Sequence, residues 1–494
     1  MNLPHDVWVH IASFVQPLQL EELYSLNSVF FNVAMDQRYQ QISFAYMTRK
    51  MARILDRLRD PVVARRVRII HLHPHFVKEV PSREQASYCS NTTLFSRLGD
   101  LAYHLRDQKL FGGKSRSRSL SSKFKSIDHL THVMVDILGG LPNLEDVHIA
   151  WSGLPTIGDS PVPIMSAALV PNLRRLWLDV SLEKLNPMLH HFTRLAELEE
   201  LDLLIRIDHE LDTKRYETIL IGFAQSINHL HRKLRKLSIQ LWEPLDMSPF
   251  FSSLEELPLL EDLSLSIPVS SPHLGDADAF IDFFELTPNL RSLSIRATEL
   301  SGRGLAPIDT NLCEWMNETF SAIRLRRLTS LEIGLNLIPI ETALICVRKF
   351  AGTLTSLTLT GRHLSLYEVE QVTDAFAEYR HASKSLRIGS VTLTPQVLDL
   401  LAIKLPLLSK LELLIREVLP SEGDFPLYYR YGFDRGQDES QLTRFFEEME
   451  SRFYPDWRVR HLVLSQSSFP FKLQHVMMYK DLFRHCAPFV QTIA

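Results

Sequence analysis

Apolar and polar positions alternate in a fixed local pattern along most of the chain, Leu-x-x-Leu-x-Leu or its Val/Ile equivalent. Copies start at Leu144, Leu173, Leu198, Leu234, Leu260, Leu290, Leu328, Leu354 and Leu408, with a late copy at Val459. In the Leu-x-Leu part, neighbouring side chains of an extended segment point to opposite sides. Each copy therefore predicts a short strand with leucines turned inward and intervening residues turned outward. Proline turns introduce several copies, as in Leu141-Pro142-Asn143, Val170-Pro171-Asn172 and Thr287-Pro288-Asn289. Proline ends a preceding helix and favours extended backbone before it. The spacing between copies predicts helices over 276–286, 309–323, 340–350, 366–380 and 395–403.

Most steps between copies approach 26–30 residues, the length of a leucine-rich repeat. The long step from Leu354 to Leu408 spans about two repeats, and Ser385-Leu386-Arg387-Ile388 inside it reads as a degraded copy. One such strand cannot bury its leucines alone, whereas stacked copies share a continuous core. The expected fold class is α/β: a small all-α three-helix module followed by a leucine-rich-repeat solenoid. The solenoid would carry a parallel sheet on its concave face and helices on its convex face. Val67–Leu72 is expected to be its first strand.

Residues 3–44 follow another pattern. After Leu3-Pro4, apolar residues at helical spacing run through Val7, Trp8, Ile11 and Phe14 to Val15, and Pro17 breaks the run. Leu18, Leu20, Leu23 and Leu26 form a second stripe, and Val29, Phe30, Val33 and Ala34 a third. Three helices this short bury little apolar surface.

Leu3-Pro4, Asp6, Ile11, Phe14-Val15, Leu20, Leu23, Leu26, Val29 and Phe30-Phe31 resemble an F-box, followed by Tyr39–Phe44 like the strand exit of fungal members. Asp6 stands where Glu is commoner, and Val15 where Leu is. With the repeats, the chain resembles F-box/leucine-rich-repeat substrate receptors of Skp1–cullin–F-box ubiquitin ligases. The resemblance implies a Skp1-like adaptor, and through it a cullin–RING ligase, as partners. It implies adaptor contacts from Leu3, Pro4, Ile11, Phe14, Leu20, Leu23 and Leu26, some of which must form the module's own core. It also implies an unknown protein substrate bound by the repeats, and no catalysis by the chain itself. The alternative is a leucine-rich-repeat interaction scaffold with no ligase role, its three helices capping the array.

The implied organisation is an F-box over 1–45, a linker helix over 46–66, and a solenoid over 67–494 with insertions near 76–126 and 420–456. The first insertion contains a Ser/Arg/Lys run, Gly112–Ser126, whose charge phosphorylation would invert. The second is acidic and holds Tyr428, Tyr429, Tyr431 and Phe433.

The strand register turns Asp146, His148, Arg175, Trp177, Asp179, Glu200 and Asp202 outward, whereas later copies present mainly Ser and Thr. Aromatic and arginine side chains anchor interfaces. Arg175, Trp177, Asp179, Asp202, Tyr428, Tyr429 and Tyr431 are therefore the expected substrate-binding residues.

Composition narrows the function classes. The chain has 494 residues and a net charge of −4, with 54 Lys+Arg against 58 Asp+Glu, which argues against general nucleic-acid binding. No run of 18 apolar residues predicts a membrane span, and the first residues lack the basic-then-apolar pattern of a secretory signal. Cys89, Cys313, Cys346 and Cys486 are far apart in sequence, so reduced thiols and a cytoplasmic or nuclear location are expected. His71, His73 and His75 alternate and could share a face, but Pro74 interrupts them, so no metal is expected. No Walker loop, dinucleotide glycine pattern or nucleophile elbow is present, and no cofactor is expected.

Overall fold

The computed structural model describes residues 3–74, 76, 127–151, 161–207, 213–268, 275–298, 308–376, 379, 384–421, 439–466 and 473–493. The chain divides into two units, Met1–Glu210 and Leu211–Ala494. Each contains parallel strands paired in chain order, joined by helices.

The first unit opens with three helices, α1 (His5–Ser13), α2 (Pro17–Leu23) and α3 (Ser28–Tyr39). Pro4 precedes α1 and Pro17 starts α2, positions where proline's missing N–H costs nothing. Asn27 caps α3 by accepting from the backbone N–H groups of Val29 and Phe30, at 3.0 and 2.9 Å. Ala12, Leu20 and Phe30 form the buried centre, with Trp8, Val15, Leu23 and Val33 packed around it. Trp8 meets Phe30 edge-on, with ring centroids 5.8 Å apart.

Helix α3 leads directly into β1 (Gln41–Phe44), which pairs with β2 (Ile69–Leu72). The sheet thus begins one strand earlier than the leucine pattern places it. Gln41-Ile-Ser-Phe44 lacks the leucines of the repeat but keeps the alternation, burying Ile42 and Phe44. Between these strands lie α4 (Arg49–Leu58), capped by Thr48, and the short α5 (Pro61–Ala64). Met51, Ala52, Leu55 and Leu58 of α4 are buried. The segment expected to be a linker helix over 46–66 thus holds α4 and α5 between the paired strands β1 and β2.

Strands β3 (Asp146–Ala150), β4 (Arg175–Ser181) and β5 (Glu200–Arg206) complete the sheet of this unit in order. The second unit carries β6 (Lys236–Leu241), β7 (Asp262–Pro268), β8 (Ser292–Thr298), β9 (Ser330–Gly334) and β10 (Ser356–Thr360). It continues through β11 (Ser385–Leu393), β12 (Lys410–Val418), β13 (His461–Gln466) and β14 (Thr492–Ile493). Equivalent leucines lie side by side: Leu237, Leu263, Leu293, Leu331, Leu357, Leu386 and Leu411 form one row, all buried.

Helices between these strands shield that row. The one expected at 340–350 is Ile340–Phe350, and the one expected at 395–403 runs Pro395–Lys404. Those expected at 276–286 and 309–323 are Ala277–Glu285 and Thr310–Ala322, because Asp276 and Asp309 act as N-caps. Leu366–Asp374 stops short of residue 380 and starts in a capping box between Ser365 and Glu368. Glu439–Glu450 adds a helix within the predicted second insertion. Among the described residues, no helix is long and apolar enough to cross a membrane.

Candidate functional site

Two surfaces of the first unit have side chains that the fold leaves uncovered. The first is the three-helix module. Phe14 is 77% exposed and Leu26 63%, and Leu3, Ile11, Tyr24 and Phe31 are exposed as well. Pro4 is exposed and Leu23 partly buried. Leu20 is different. It is fully buried between Ala12 and Phe30, so it belongs to the core and cannot be a direct adaptor contact. The Phe14 ring is held edge-on against His10, with centroids 4.9 Å apart.

The module is fastened to the sheet by Arg66. Its guanidinium donates to the backbone carbonyl of Asn32 at 3.1 Å, to the Asn32 side chain at 2.8 Å, and to the Asp36 carboxylate. The Arg66 side chain is only 14% exposed. Gln40, the residue joining α3 to β1, accepts from the backbone N–H groups of Arg68 and Ile69 at 3.0 and 2.9 Å.

The second surface is the polar face of strands β2 to β5. The register places His71 beside His148, His148 beside Trp177, and Trp177 beside Asp202. The His71 and His148 rings are 4.4 Å apart at a 31° tilt, and His148 and Trp177 are 6.0 Å apart at the same tilt. Three rings therefore stand in one row across the sheet, ending at a carboxylate. Burial, reinforced by the neighbouring His148 and His73, pushes the His71 pKa below its usual value. Gln41 meets the His71 ring at 2.8 Å.

A second row runs Asp146, Arg175 and Glu200. Asp146 faces both His148, at 3.1 Å, and Arg175, at 3.3 Å. Trp177 is half-buried, with its indole bordered by His148 and Asp202. Asp202 makes no ion pair among the described residues. Asp179 departs from the expected role: it is buried and pairs with Arg206 at 3.3 Å, and so fixes strand edges instead of facing a ligand.

Tyr428, Tyr429, Tyr431 and Phe433 lie outside the described residues, as do the Gly112–Ser126 run and His75. Alternation along the chain groups His71 with His73 and His75, whereas the sheet sets it in a row with His148 and Trp177. The informative signal was positional: Ile70-His71-Leu72, Val147-His148-Ile149 and Leu176-Trp177-Leu178 share one register. Among the described residues no group of three His, Cys, Asp or Glu side chains could hold a metal ion.

The corresponding face of the second unit neutralises its own charges. Glu332 accepts from Ser294 at 3.0 Å and from Arg296 at 2.5 Å. Glu412 pairs with Lys410 at 2.5 Å and with Arg387 at 3.5 Å.

No protein-family model matches the chain, and no curated protein matches it. Among solved structures it is similar to the leucine-rich-repeat-containing protein LegL7 from Legionella pneumophila, at 14% identity and TM-score 0.35, over 57% of this chain and 87% of that one. It is similar to a Bacteroides fragilis protein at 13% identity and TM-score 0.29, over 46% of this chain and 62% of that one, less than two thirds of its length. It is also similar to the yeast complex of Rad7 and Elc1, at 13% identity and TM-score 0.31, over 78% of this chain and 97% of that one. With TM-scores this low, the leucine-rich-repeat architecture rests on the buried leucine rows and the in-order parallel pairing.

Proposed function

We propose that the chain is the substrate-recognition subunit of a Skp1–cullin–F-box-type ubiquitin ligase. The three-helix module would bind a Skp1-like adaptor, and the repeats would bind a protein substrate. The observation that carries this reading is the exposure of Phe14, Leu26, Leu3 and Ile11 on a module whose small core is already complete with Ala12, Leu20 and Phe30. Each large apolar side chain covered by a partner would contribute about 1.5–3 kcal/mol. Ubiquitin transfer itself would be carried out by partner subunits, at a cytoplasmic or nuclear location. The substrate surface on this reading is the row His71, His148, Trp177 and Asp202, flanked by Arg175.

The second reading is an interaction scaffold with no ligase role, in which the three helices only cap the sheet. The Arg66 contacts and the direct passage from α3 into β1 favour it. Co-expression with a Skp1-like adaptor separates the two. A one-to-one complex that survives gel filtration and is lost in Phe14→Ala/Leu26→Ala supports the receptor; absence of any complex supports the scaffold.

A further inference from the structure

A cleft of about 250 Å³ opens on the second unit. Arg324, Leu325 and Arg326, which follow the helix Thr310–Ala322, form one wall. Lys349 and Phe350, from the end of the helix Ile340–Phe350, form another with Gly352 and Thr353. Tyr379 closes the third side. Its ring sits over Gly352, where an added Cβ would lie 3.2 Å from a ring carbon.

Three basic residues thus line one open cleft, Arg324 and Arg326 exposed beside it, and no carboxylate is among its lining residues. The bland role for basic groups here is to complement helix carboxyl ends. That accounts for Lys349, whose Nζ donates to the Ser321 carbonyl at 2.5 Å. It does not account for Arg324 and Arg326, which make no ion pair among the described residues. Burial and the charge of Arg324 both lower the pKa of Lys349, as expected where cations stand together without a counter-charge.

We infer that this cleft is an anion site for a phosphate group, held by the guanidinium groups of Arg324 and Arg326 with Lys349 beside them. Guanidinium forks match phosphate oxygens two at a time. A volume near 250 Å³ is below that of ordinary cofactor pockets, about 300–1,000 Å³, so a phosphate with a small substituent fits better than a whole nucleotide. The group could be carried on a small soluble molecule or on a phosphorylated protein side chain.

The test is titration calorimetry on the full chain at constant ionic strength, with inorganic pyrophosphate and with a phosphoserine peptide beside its unphosphorylated form. The expected result is saturable binding of at least one phosphorylated probe, weakened at least tenfold in Arg324→Gln/Arg326→Gln. Arg215→Gln/Arg232→Gln, which removes equal charge elsewhere, should leave the affinity within twofold. Preference for the phosphopeptide would assign the phosphate to a protein, and preference for pyrophosphate to a small molecule; either supports the site. No saturable binding of either probe, or an equal loss in both double variants, would overturn it.

Discussion

The guanidinium of Arg66 grips Asn32 twice, through its backbone carbonyl and through its side-chain oxygen. One side chain at the entry to β2 thereby holds the middle of helix α3, and Asp36 one turn further on completes the contact. Arg66→Ala should destabilise the first unit by about 1–3 kcal/mol, because charge-assisted bonds are lost and the Asn32 and Asp36 acceptors are left behind. Arg66→Lys should recover only part of this, since an ammonium cannot reproduce the fork. Urea unfolding, with limited proteolysis within residues 3–40, measures both. A midpoint unchanged in Arg66→Ala would show the clasp to be incidental.

Within the helical module, exposed and buried apolar residues should behave oppositely. Phe14→Ala and Leu26→Ala should abolish adaptor capture while leaving the melting temperature within about a degree, as expected for surface truncations. Leu20→Ala should cost about 2–5 kcal/mol of stability through a core cavity. Pull-down and calorimetry on the same three variants check this, and loss of stability in Phe14→Ala would contradict the exposed placement.

Trp177→Ala should lower substrate capture at least tenfold without reducing adaptor binding, and Asp202→Asn should lower it less. Trp177 is half-buried beside His148, so some stability is lost too, on the order of 1 kcal/mol. Comparative capture from cell extract followed by mass spectrometry reads the first effect. A variant that binds every captured protein as well as the parent would remove Trp177 from the substrate surface.

Three histidines give the fold a direction of pH dependence. The pKa values of His71, His191 and His363 are all lowered, in each case first by burial and then by neighbouring positive or imidazole groups. Folding therefore disfavours the protonated rings relative to the unfolded chain, where a histidine titrates near pH 6.5. Their stabilising contribution is fully present above that pH and is lost as pH falls below it, because the unfolded state then binds more protons. Unfolding curves from pH 7.5 to 5 should show a steady decline, made shallower by His363→Gln. A stability that rises over that range would reverse the assignment.

Gly361 has φ +99°, and a Cβ there would collide with the side chain of Asn336. Gly361→Ala should cost about 1–3 kcal/mol from backbone strain plus displacement of Asn336. Chemical denaturation measures it, and a neutral substitution would mean that this turn can relax.

The leucine spacing made β3 to β10, β12 and β13 legible because a period-two apolar pattern inside a repeat has few other physical solutions. Helix ends were legible where an Asp, Ser or Thr cap stands, as at Asp309 and Ser365. Strand β1 was legible only through the resemblance of Tyr39–Phe44 to a strand exit, because the four residues Gln41-Ile-Ser-Phe44 carry too short an alternation to stand as a repeat copy. The outward register predicted Arg175, Trp177 and Asp202 on one face. It could not predict that Asp179 would be taken by Arg206, since that depends on a side chain reaching across from β5. Nor could helical spacing separate Leu20 from Leu26: both lie on the same stripe, but Ala12 and Phe30 enclose only Leu20.

The unbroken passage from α3 through Gln40 into β1 has a mechanical consequence. A joint of this kind has no slack residue in which rotation could be absorbed, since Gln40 is already committed to the backbone of Arg68 and Ile69. Torque applied to the helices is delivered to the first sheet strand as a whole. Inserting a single residue between Tyr39 and Gln41 would not lengthen a tether. With the pairing to β2 kept, it would swing Ile42 and Phe44 out to solvent and turn Gln41 and Ser43 inward.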